Sequence, residues 1–423
     1  MKKFLFILAL LASISCSKET QIPVSDLKPG GQTSTVIPLS EALASLDEKL
    51  SELYSVTKSN SCKQYELENI TTIGATGLPS TKAAELQIPD TLMYLVNFNS
   101  NKGFAILAGD RRLGEDVYCI AEEGSVAPAD FKRAFEFLSS SVSETKSSDI
   151  NEELFHDMGP DFVPALLLSA MLNDLQDDSI KQPHEKTKAI HATDSLILLN
   201  TKWGQWGVFN DCIPKDKKNR ECPVGCVATA CGQIMAYCRY PENPVFDGLA
   251  CSWDKILEVS NYKTLNKTPS SEAATQVAKF MYHIGKKHLL YIRYAYDGSW
   301  GMADGVVRTL KAYGYKNVKK VTGFGQKNRS KASASLRNRY PVYLGASDSK
   351  RCIGHAWVID GEWNGYFHCN WGWSGKWDGY YSKDNCFVVG NRVTIDKKDP
   401  WTEEQNFRNN KYDWNFRMVT YTL

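Results

Sequence analysis

The chain has 423 residues, of which 43% are hydrophobic and 23% are charged. These values exclude a disordered chain, and the length is sufficient for roughly two or three domains with separate cores. The formal net charge is only +2, so no broad basic surface for nucleic acid is expected.

The first residues have the pattern of an export signal. Lys2 and Lys3 precede the apolar segment 4–12, which is too short to span a bilayer. Small residues then lead to Cys16, as in a bacterial lipoprotein signal in which cleavage before Cys16 leaves lipid on its thiol. Ordinary secretion is the alternative. In either case we expect residues 1–15 to be removed and the protein to act outside the cytoplasm, either secreted or lipid-anchored to the bacterial envelope.

The region after the signal is predicted to contain two helices and two strands. Apolar residues at helical spacing run from Leu39 to Val56, and a second helix is predicted from Pro128, with Asp130 placed to cap it. Between these helices, Leu92–Phe98 and Gly103–Leu107 are predicted as two strands joined by a turn.

Two polar stretches, 139–149 and 177–195, are typical of exposed, protease-sensitive segments, and the hydrophobic segment 162–172 lies between them. We therefore place the main domain boundary near residue 190. Beyond it, the segments GHAWVIDG, YFHCNWGW and GYYS have the alternation expected of strands in one antiparallel sheet.

Nine of the 12 cysteines follow this boundary, in a protein whose export would let disulfides persist. Nine is an odd number, so at least one thiol stays unpaired if these cysteines pair only with one another. The densest run, CPVGCVATACGQIMAYCRYP at 222–241, contains four of them.

This run predicts a helix that begins at Cys226. Pro223 and Gly225 precede the helix, and Pro241 follows it. One apolar stripe of the helix is formed by Val227, Ala230, Ile234 and Cys238. Unpaired N–H groups and the helix macrodipole stabilise an anion at the helix N-terminus, which lowers the pKa of a thiol there. Cys226 is therefore the candidate nucleophile.

Three other roles for these cysteines compete with this hypothesis. Zinc binding by Cys222 and Cys226 fits no standard ligand spacing. A disulfide between Cys212 and Cys222 is compatible with a reactive Cys226. Cys231 and Cys238, inside the helix, have the character of small core residues.

A nucleophilic cysteine needs a base and a group that orients the base. His355 begins the apolar strand of CIGHAWVIDG, where a ring can project from the strand end into a cleft. His355 and Asn370 follow Cys226 at the separation of about 130–150 residues found in papain-like enzymes. We expect Asn370 to accept the imidazole N–H, while the indoles of Trp371 and Trp373 shield that bond from water.

His368 is the rival base, because in a strand its side chain leaves the same face as that of Asn370. The remaining requirement is a donor for the tetrahedral oxyanion. Gln205 lies shortly before the nucleophile, in TKWGQWGVFND, and is the candidate donor together with the backbone N–H of Cys226.

The ordered set resembles the streptopain family of papain-fold cysteine peptidases, which includes interpain-type enzymes of Bacteroidales. The resemblance is carried by GCVATACGQIMAYCRYP around Cys226, GHAWVIDG around His355, HCNWGWSGKWDGYY around Asn370 and WGQW at Gln205. The segment NKGFAILAGDRRLGEDVYCIAEEG, residues 101–124, is similar to the propeptide of these zymogens.

This resemblance implies an α+β fold. A papain-like catalytic domain, made of a helical subdomain and an antiparallel sheet or barrel subdomain, would follow an α+β prodomain. The expected domains are the signal peptide 1–15, the prodomain with its linker 16–190 and the peptidase domain 191–423.

The resemblance also implies a secreted zymogen with endopeptidase activity that prefers an apolar residue one position before the scissile residue. It assigns Cys226 as nucleophile, His355 as general base and acid, and Gln205 to the oxyanion hole. Asn370 and Trp371 would support His355. Neither a metal nor a cofactor is expected.

The expected partners are protein or peptide substrates, the protein's own prodomain as inhibitor and, through a lipid on Cys16, a membrane. Nucleic acid is not among them. Two alternatives are a catalytically weak inhibitor or adhesin with a permanently docked prodomain, and an enzyme that transfers acyl or amide groups through the same thioester. The intact Cys-His-Asn-Gln set favours the peptidase, because a binding module does not need all four residues in order.

Overall fold

The computed structural model describes residues 34–57, 65–77, 87–139, 156–175, 197–263, 268–348, 353–387 and 414–423. The predicted signal peptide with Cys16, most of the two polar linkers and the boundary near residue 190 lie outside these ranges. The limits proposed for the domains therefore stay predictions.

The N-terminal half combines helices with the first strands of a sheet. Its elements are α1 (Leu39–Thr57), β1 (Leu67–Ile73), β2 (Met93–Phe98), β3 (Phe104–Ala108), β4 (Val117–Ala121), α2 (Pro128–Ser139), β5 (His156–Asp157) and α3 (Phe162–Leu175). Both predicted helices and both predicted strands form close to their expected limits. The carboxylate of Asp130 accepts the backbone N–H of Ala127 at 2.7 Å and so caps α2.

The C-terminal half begins with an extended segment and then alternates helices with strands. Its elements are α4 (Cys226–Cys238), β6 (Val245–Phe246), β7 (Leu249–Ala250), α5 (Trp253–Leu257), α6 (Ser271–Gly285), α7 (Ala303–Ala312), β8 (Lys316–Thr322), α8 (Gln326–Arg337), β9 (Val342–Asp348), β10 (Ile353–Trp363), β11 (Tyr366–Asn370), β12 (Gly379–Ser382) and β13 (Asn415–Thr422). The helix predicted from Cys226 is confirmed.

One sheet runs through both halves. Its strand order is β1–β2–β3–β4–β12–β11–β10–β9–β13–β8, with antiparallel neighbours, and β5 adds to β10 in parallel. The predicted pairing of the strands around His355, Asn370 and GYYS is confirmed, because β10, β11 and β12 are consecutive antiparallel neighbours. β4 pairs with β12 and joins the two halves. The α+β class is likewise confirmed.

The two faces of β10 contribute to different cores, because successive side chains of a strand point to opposite faces. Ala356 and Val358 belong to a core that includes α4, α6 and α7. Trp357 and Ile359 belong to a core that includes α2, α3 and the strands of the N-terminal half. The sheet therefore separates the helix of Cys226 from the helices of the N-terminal half.

In the part of the chain that the structure describes, no helix is both long and apolar enough to cross a membrane.

Candidate active site

Cys226 is the first residue of α4, with 5% of its surface exposed. Gly225 precedes it with a φ of 92°, and a Cβ at this position would lie 2.8 Å from the backbone oxygen of Ser299. Only glycine meets both conditions without strain. No side chain caps the helix, so its first N–H groups are not occupied by a capping oxygen near the Cys226 thiol.

Gln205 lies beside this helix end. Its backbone oxygen accepts the N–H of Val224 at 3.0 Å, and only 8% of its surface is exposed. The same segment reaches the loop after β11, where the N–H of Ser374 donates to the oxygen of Trp203 at 3.0 Å. Residues 203–205 therefore bridge the start of α4 and the loop that follows Asn370.

His355 lies in β10, and its Nε2 is 2.9 Å from the backbone oxygen of Trp371. A carbonyl oxygen only accepts hydrogen bonds, so this nitrogen carries a proton and donates. In the neutral ring Nδ1 is then the basic nitrogen. The ring is 3% exposed and stacks on Trp373 at 4.4 Å between centroids.

Asn370 does not make the direct bond to His355 that the sequence predicts. Its Oδ1 accepts from Gln233 Nε2 at 2.9 Å and from the N–H of Gly372 at 3.3 Å. Its Nδ2 donates to the oxygen of Thr201 at 2.7 Å. The reason is that the side chain points toward α4, where the buried amide of Gln233 requires partners, and the backbone of the next residue bonds the imidazole instead.

Trp371 is held at both of its backbone polar groups. Its carbonyl faces His355, and its N–H donates to Asp378 Oδ1 at 2.8 Å. Burial raises the pKa of Asp378 to about 7, although the hydrogen bond from Trp371 acts in the opposite direction. A hydrogen bond therefore joins the two ends of the loop 371–378 and fixes Trp371, the residue whose carbonyl bonds His355.

The rival base, His368, has a different setting. Its Nδ1 lies 2.6 Å from Asp360 Oδ1, and its Nε2 lies 3.9 Å from a carboxylate oxygen of Glu122. Burial lowers the pKa of His368, but the two carboxylates outweigh this effect and raise it to about 10. A ring that stays protonated near neutral pH cannot serve as a base there.

Free or buried thiols near Cys226 do not compete with it for the nucleophilic role. Cys212 and Cys222 are both free thiols, so the disulfide considered between them is not formed. Burial raises the pKa of Cys222, and that of Cys231 to about 12. Among the described residues, no group of three or more His, Cys, Asp or Glu side chains could hold a metal ion.

Three polar residues of this region were not predicted from the sequence. They are Thr201, Gln233 and Asp378, and all three are buried. Gln233 had a signal that could have identified it, because it is a polar residue inside an otherwise apolar helix, seven residues after Cys226. Seven residues are about two helical turns, so both side chains lie on the same side of α4.

The model of the peptidase C10 family matches residues 203–381, a range that contains every site residue predicted from the sequence. The thiol protease/hemagglutinin PrtT of Porphyromonas gingivalis is 28% identical over 204 residues, which are 43% of this chain and only 22% of that protein. Streptopain of Streptococcus pyogenes is 25% identical over 318 residues, which are 66% of this chain and 71% of that protein.

The fold has a counterpart among solved structures. A mutant fragment of prointerpain A from Prevotella intermedia matches with a TM-score of 0.51 and 20% sequence identity, covering 78% of this chain and 94% of the fragment. The family match, the two thiol protease relatives and the shared fold agree with one another. The family match and the two relatives support a cysteine peptidase of the streptopain, or peptidase C10, family.

Proposed function

We propose that the protein is an endopeptidase made as a zymogen, with Cys226 as nucleophile and His355 as general base and acid. The observation that carries this proposal is the position of Cys226 at an uncapped helix N-terminus, next to the segments that present Gln205 and the acceptor of His355. An uncapped helix N-terminus stabilises the thiolate that a nucleophilic cysteine requires.

In the proposed reaction, the Cys226 thiolate attacks the carbonyl carbon of a peptide bond, and the carbonyl π electrons move to oxygen. The side-chain amide of Gln205 and the backbone N–H of Cys226 donate to this oxyanion. The imidazolium of His355 then gives its proton to the leaving amine, the C–N bond breaks and a thioester remains. The neutral ring takes a proton from water, which hydrolyses the thioester and restores the thiolate.

The hydrogen bond from His355 Nε2 to Trp371 specifies which nitrogen moves the proton. Nε2–H is used to hold the ring, so Nδ1 exchanges protons with Cys226 and the leaving amine. Asn370 supports the ring indirectly in this proposal, through the backbone of Trp371. The bulky indoles of Trp371 and Trp373 exclude water from the bond.

The contacts of the N-terminal half support the zymogen part of the proposal. β5 pairs with the first residues of β10, and the N–H of Met158 donates to the oxygen of Gly354 at 3.2 Å. Phe162, the first residue of α3, lies 5.4 Å from the ring of His355 between centroids. We propose that this half is an inhibitory prodomain, since it covers the ring that must exchange protons.

Export remains part of the proposal. The segment 1–15 supports removal of a signal peptide, and Cys16 supports attachment to the envelope through a lipid. We propose an extracytoplasmic enzyme that acts on protein or peptide substrates.

The test compares the full wild-type chain with Cys226→Ala and with the control Cys251→Ala, which removes a half-buried free thiol outside the site. We expect wild type and the control to process themselves, to hydrolyse unfolded casein and to react with a thiol-directed peptide probe. Cys226→Ala should do none of these. Casein hydrolysis at the wild-type rate by Cys226→Ala would refute the nucleophile.

The same experiment separates the alternative functions. A wild-type chain that never processes itself and never reacts with the probe would favour an inhibitor or adhesin. Products that carry an added amine in excess of hydrolysed product would favour a transferase.

A further inference from the structure

We propose that Gln233 is a positioning residue that sets the orientation of His355 relative to Cys226 through a buried network with Thr201 and Asn370. This inference rests on the proposed function, because it assumes that Cys226 and His355 react together. It assigns a role to an amide that touches neither the substrate nor the reacting atoms.

The amide of Gln233 is completely buried and bonded at both ends. Its Oε1 accepts from Thr201 Oγ1 at 2.8 Å and from the N–H of Trp203 at 3.3 Å. Its Nε2 donates to Asn370 Oδ1 at 2.9 Å. An amide with two distinct ends imposes one arrangement on its partners, because reversing it would place like groups against each other.

Asn370 fixes the position of the backbone on both sides of Trp371. Its own backbone ends β11, and its Oδ1 accepts the N–H of Gly372, while its Nδ2 is anchored by the oxygen of Thr201. With residues 370 and 372 held, the carbonyl of Trp371 between them has little freedom. That carbonyl is the acceptor of His355 Nε2.

The other end of the network is the nucleophile's own helix. Gln233 lies seven residues after Cys226 in α4, about 10 Å along a rigid helix. The loop also packs closely on the first turn of α4. A Cβ on Gly372 would lie 3.1 Å from the methyl group of Thr229. The network therefore connects the nucleophile's helix to the carbonyl that holds the base.

Loss of this connection should move the imidazole without removing any reacting group. A displacement on the order of 1 Å between reacting groups costs about 10²-fold in rate. Because the substrate does not touch Gln233, the effect should fall on kcat and leave KM nearly unchanged.

The principal variant is Gln233→Glu, made in the full chain and compared after processing. It keeps the shape and the acceptor but replaces the donor facing Asn370 Oδ1 with a second acceptor. The matched control is Gln276→Glu in α6, where a buried amide bonds Glu272 and the backbone of Ser252 away from the site.

The readouts are kcat, KM and the rate at which iodoacetamide alkylates Cys226 as a function of pH. We expect Gln233→Glu to lower kcat about 10²-fold and to shift the pH midpoint of alkylation upward. The deficit should shrink at acid pH, because a protonated carboxyl regains a donor for Asn370. Gln276→Glu should change neither kcat nor the alkylation profile.

A wild-type kcat and alkylation profile in Gln233→Glu would overturn the inference. If Gln233→Glu does not fold, Thr201→Val and Thr201→Ser decide the matter. The first removes the hydroxyl that bonds Gln233 and the second keeps it, so only Thr201→Val should lower kcat and shift the profile. Equal profiles for these two variants would also overturn the inference.

Failure of the proposed function has a different signature. A wild-type chain whose Cys226 is no more reactive than Cys251 at neutral pH would refute the proposed nucleophile itself. A reactive wild-type Cys226 with an unaffected Gln233→Glu would refute only the positioning role.

Discussion

His355 and His368 lie on neighbouring strands and are both buried, with 3% and 4% of their surfaces exposed, yet their surroundings are opposite. The ring of His355 contacts the backbone carbonyl of Trp371 and stacks on Trp373 and Trp357. The ring of His368 is held by the carboxylate of Asp360, with that of Glu122 nearby.

This difference supports the different roles that we propose for the two histidines. Carboxylates favour the charged ring and keep His368 protonated, so it acts as a fixed cation within the sheet. The carbonyl of Trp371 instead orients the ring of His355 through a hydrogen bond. Burial alone therefore does not make a histidine a candidate base, because the carboxylates beside His368 keep that buried ring protonated.

The largest expected effect is a loss of turnover that differs between variants of the two histidines. His355→Ala should lower casein hydrolysis by about 10²–10⁴-fold, because general acid–base catalysis is lost. His368→Asn keeps a donor for Asp360, so its folded fraction should retain most of the wild-type activity. The measurement is kcat/KM corrected for the folded fraction, and the reverse pattern of losses would exchange the assignments.

The next effect concerns the apolar cover of His355. Phe162 is fully buried against His355, Trp357 and Trp371, and Phe162→Ala should lower the free energy of unfolding of the full chain by about 3–5 kcal/mol. Loosening this cover should also speed self-processing, measured on gels over time.

The control for Phe162 is Phe135→Ala, a truncation of an equally buried ring in α2. It should destabilise the full chain by a similar amount with a smaller gain in processing rate. Equal acceleration by both variants would show that general loosening, and not exposure of His355, controls processing.

A smaller effect follows from the charge of His368. Its pKa in the folded protein, about 10, lies above the ordinary value of 6.5 expected in the unfolded chain. Between these pH values the folded state binds one more proton than the unfolded state. The stabilisation by protonated His368 is therefore complete below about pH 6.5 and is lost as the pH rises through about 10. Urea unfolding should therefore show stability falling more steeply over this window in wild type than in His368→Asn. Parallel curves would contradict the buried imidazolium.

The smallest effect belongs to the ion pair of Lys202 with Glu123, which joins the two halves close to the strand pairing of β4 with β12. Both side chains are partly exposed, so Lys202→Met should change the free energy of unfolding by only about 0–1 kcal/mol. A double-mutant cycle with Glu123→Gln, at low and high salt, measures the pair. A coupling that is large and insensitive to salt would mean that the pair behaves as a buried one.

Much of the fold followed from local patterns. The helix at Cys226, the strands of the sheet around His355 and the cap at Asp130 depend on spacing and on residue type, which neighbours in sequence determine. The sheet that joins β4 to β12 was not predicted, because pairing between strands so distant in sequence leaves no periodic signal in either one.

The hydrogen-bond acceptor of His355 could not be predicted from the sequence either. Asn370 is near the ring in sequence terms, but its side chain bonds Gln233, and the backbone carbonyl of Trp371 is the acceptor. A backbone carbonyl is present at every position, so no residue type could have indicated this one.

The order of chemical residues along the chain was by itself enough to identify a cysteine peptidase, because a thiol at a helix start, a histidine on a strand and the amides near them are properties of residue type and spacing. Only the tertiary structure decided which polar groups share one buried space, as Gln233, Thr201 and Asn370 do. The physical reason is that a buried polar group must find its partners wherever the folded chain brings them, without regard to their separation in sequence.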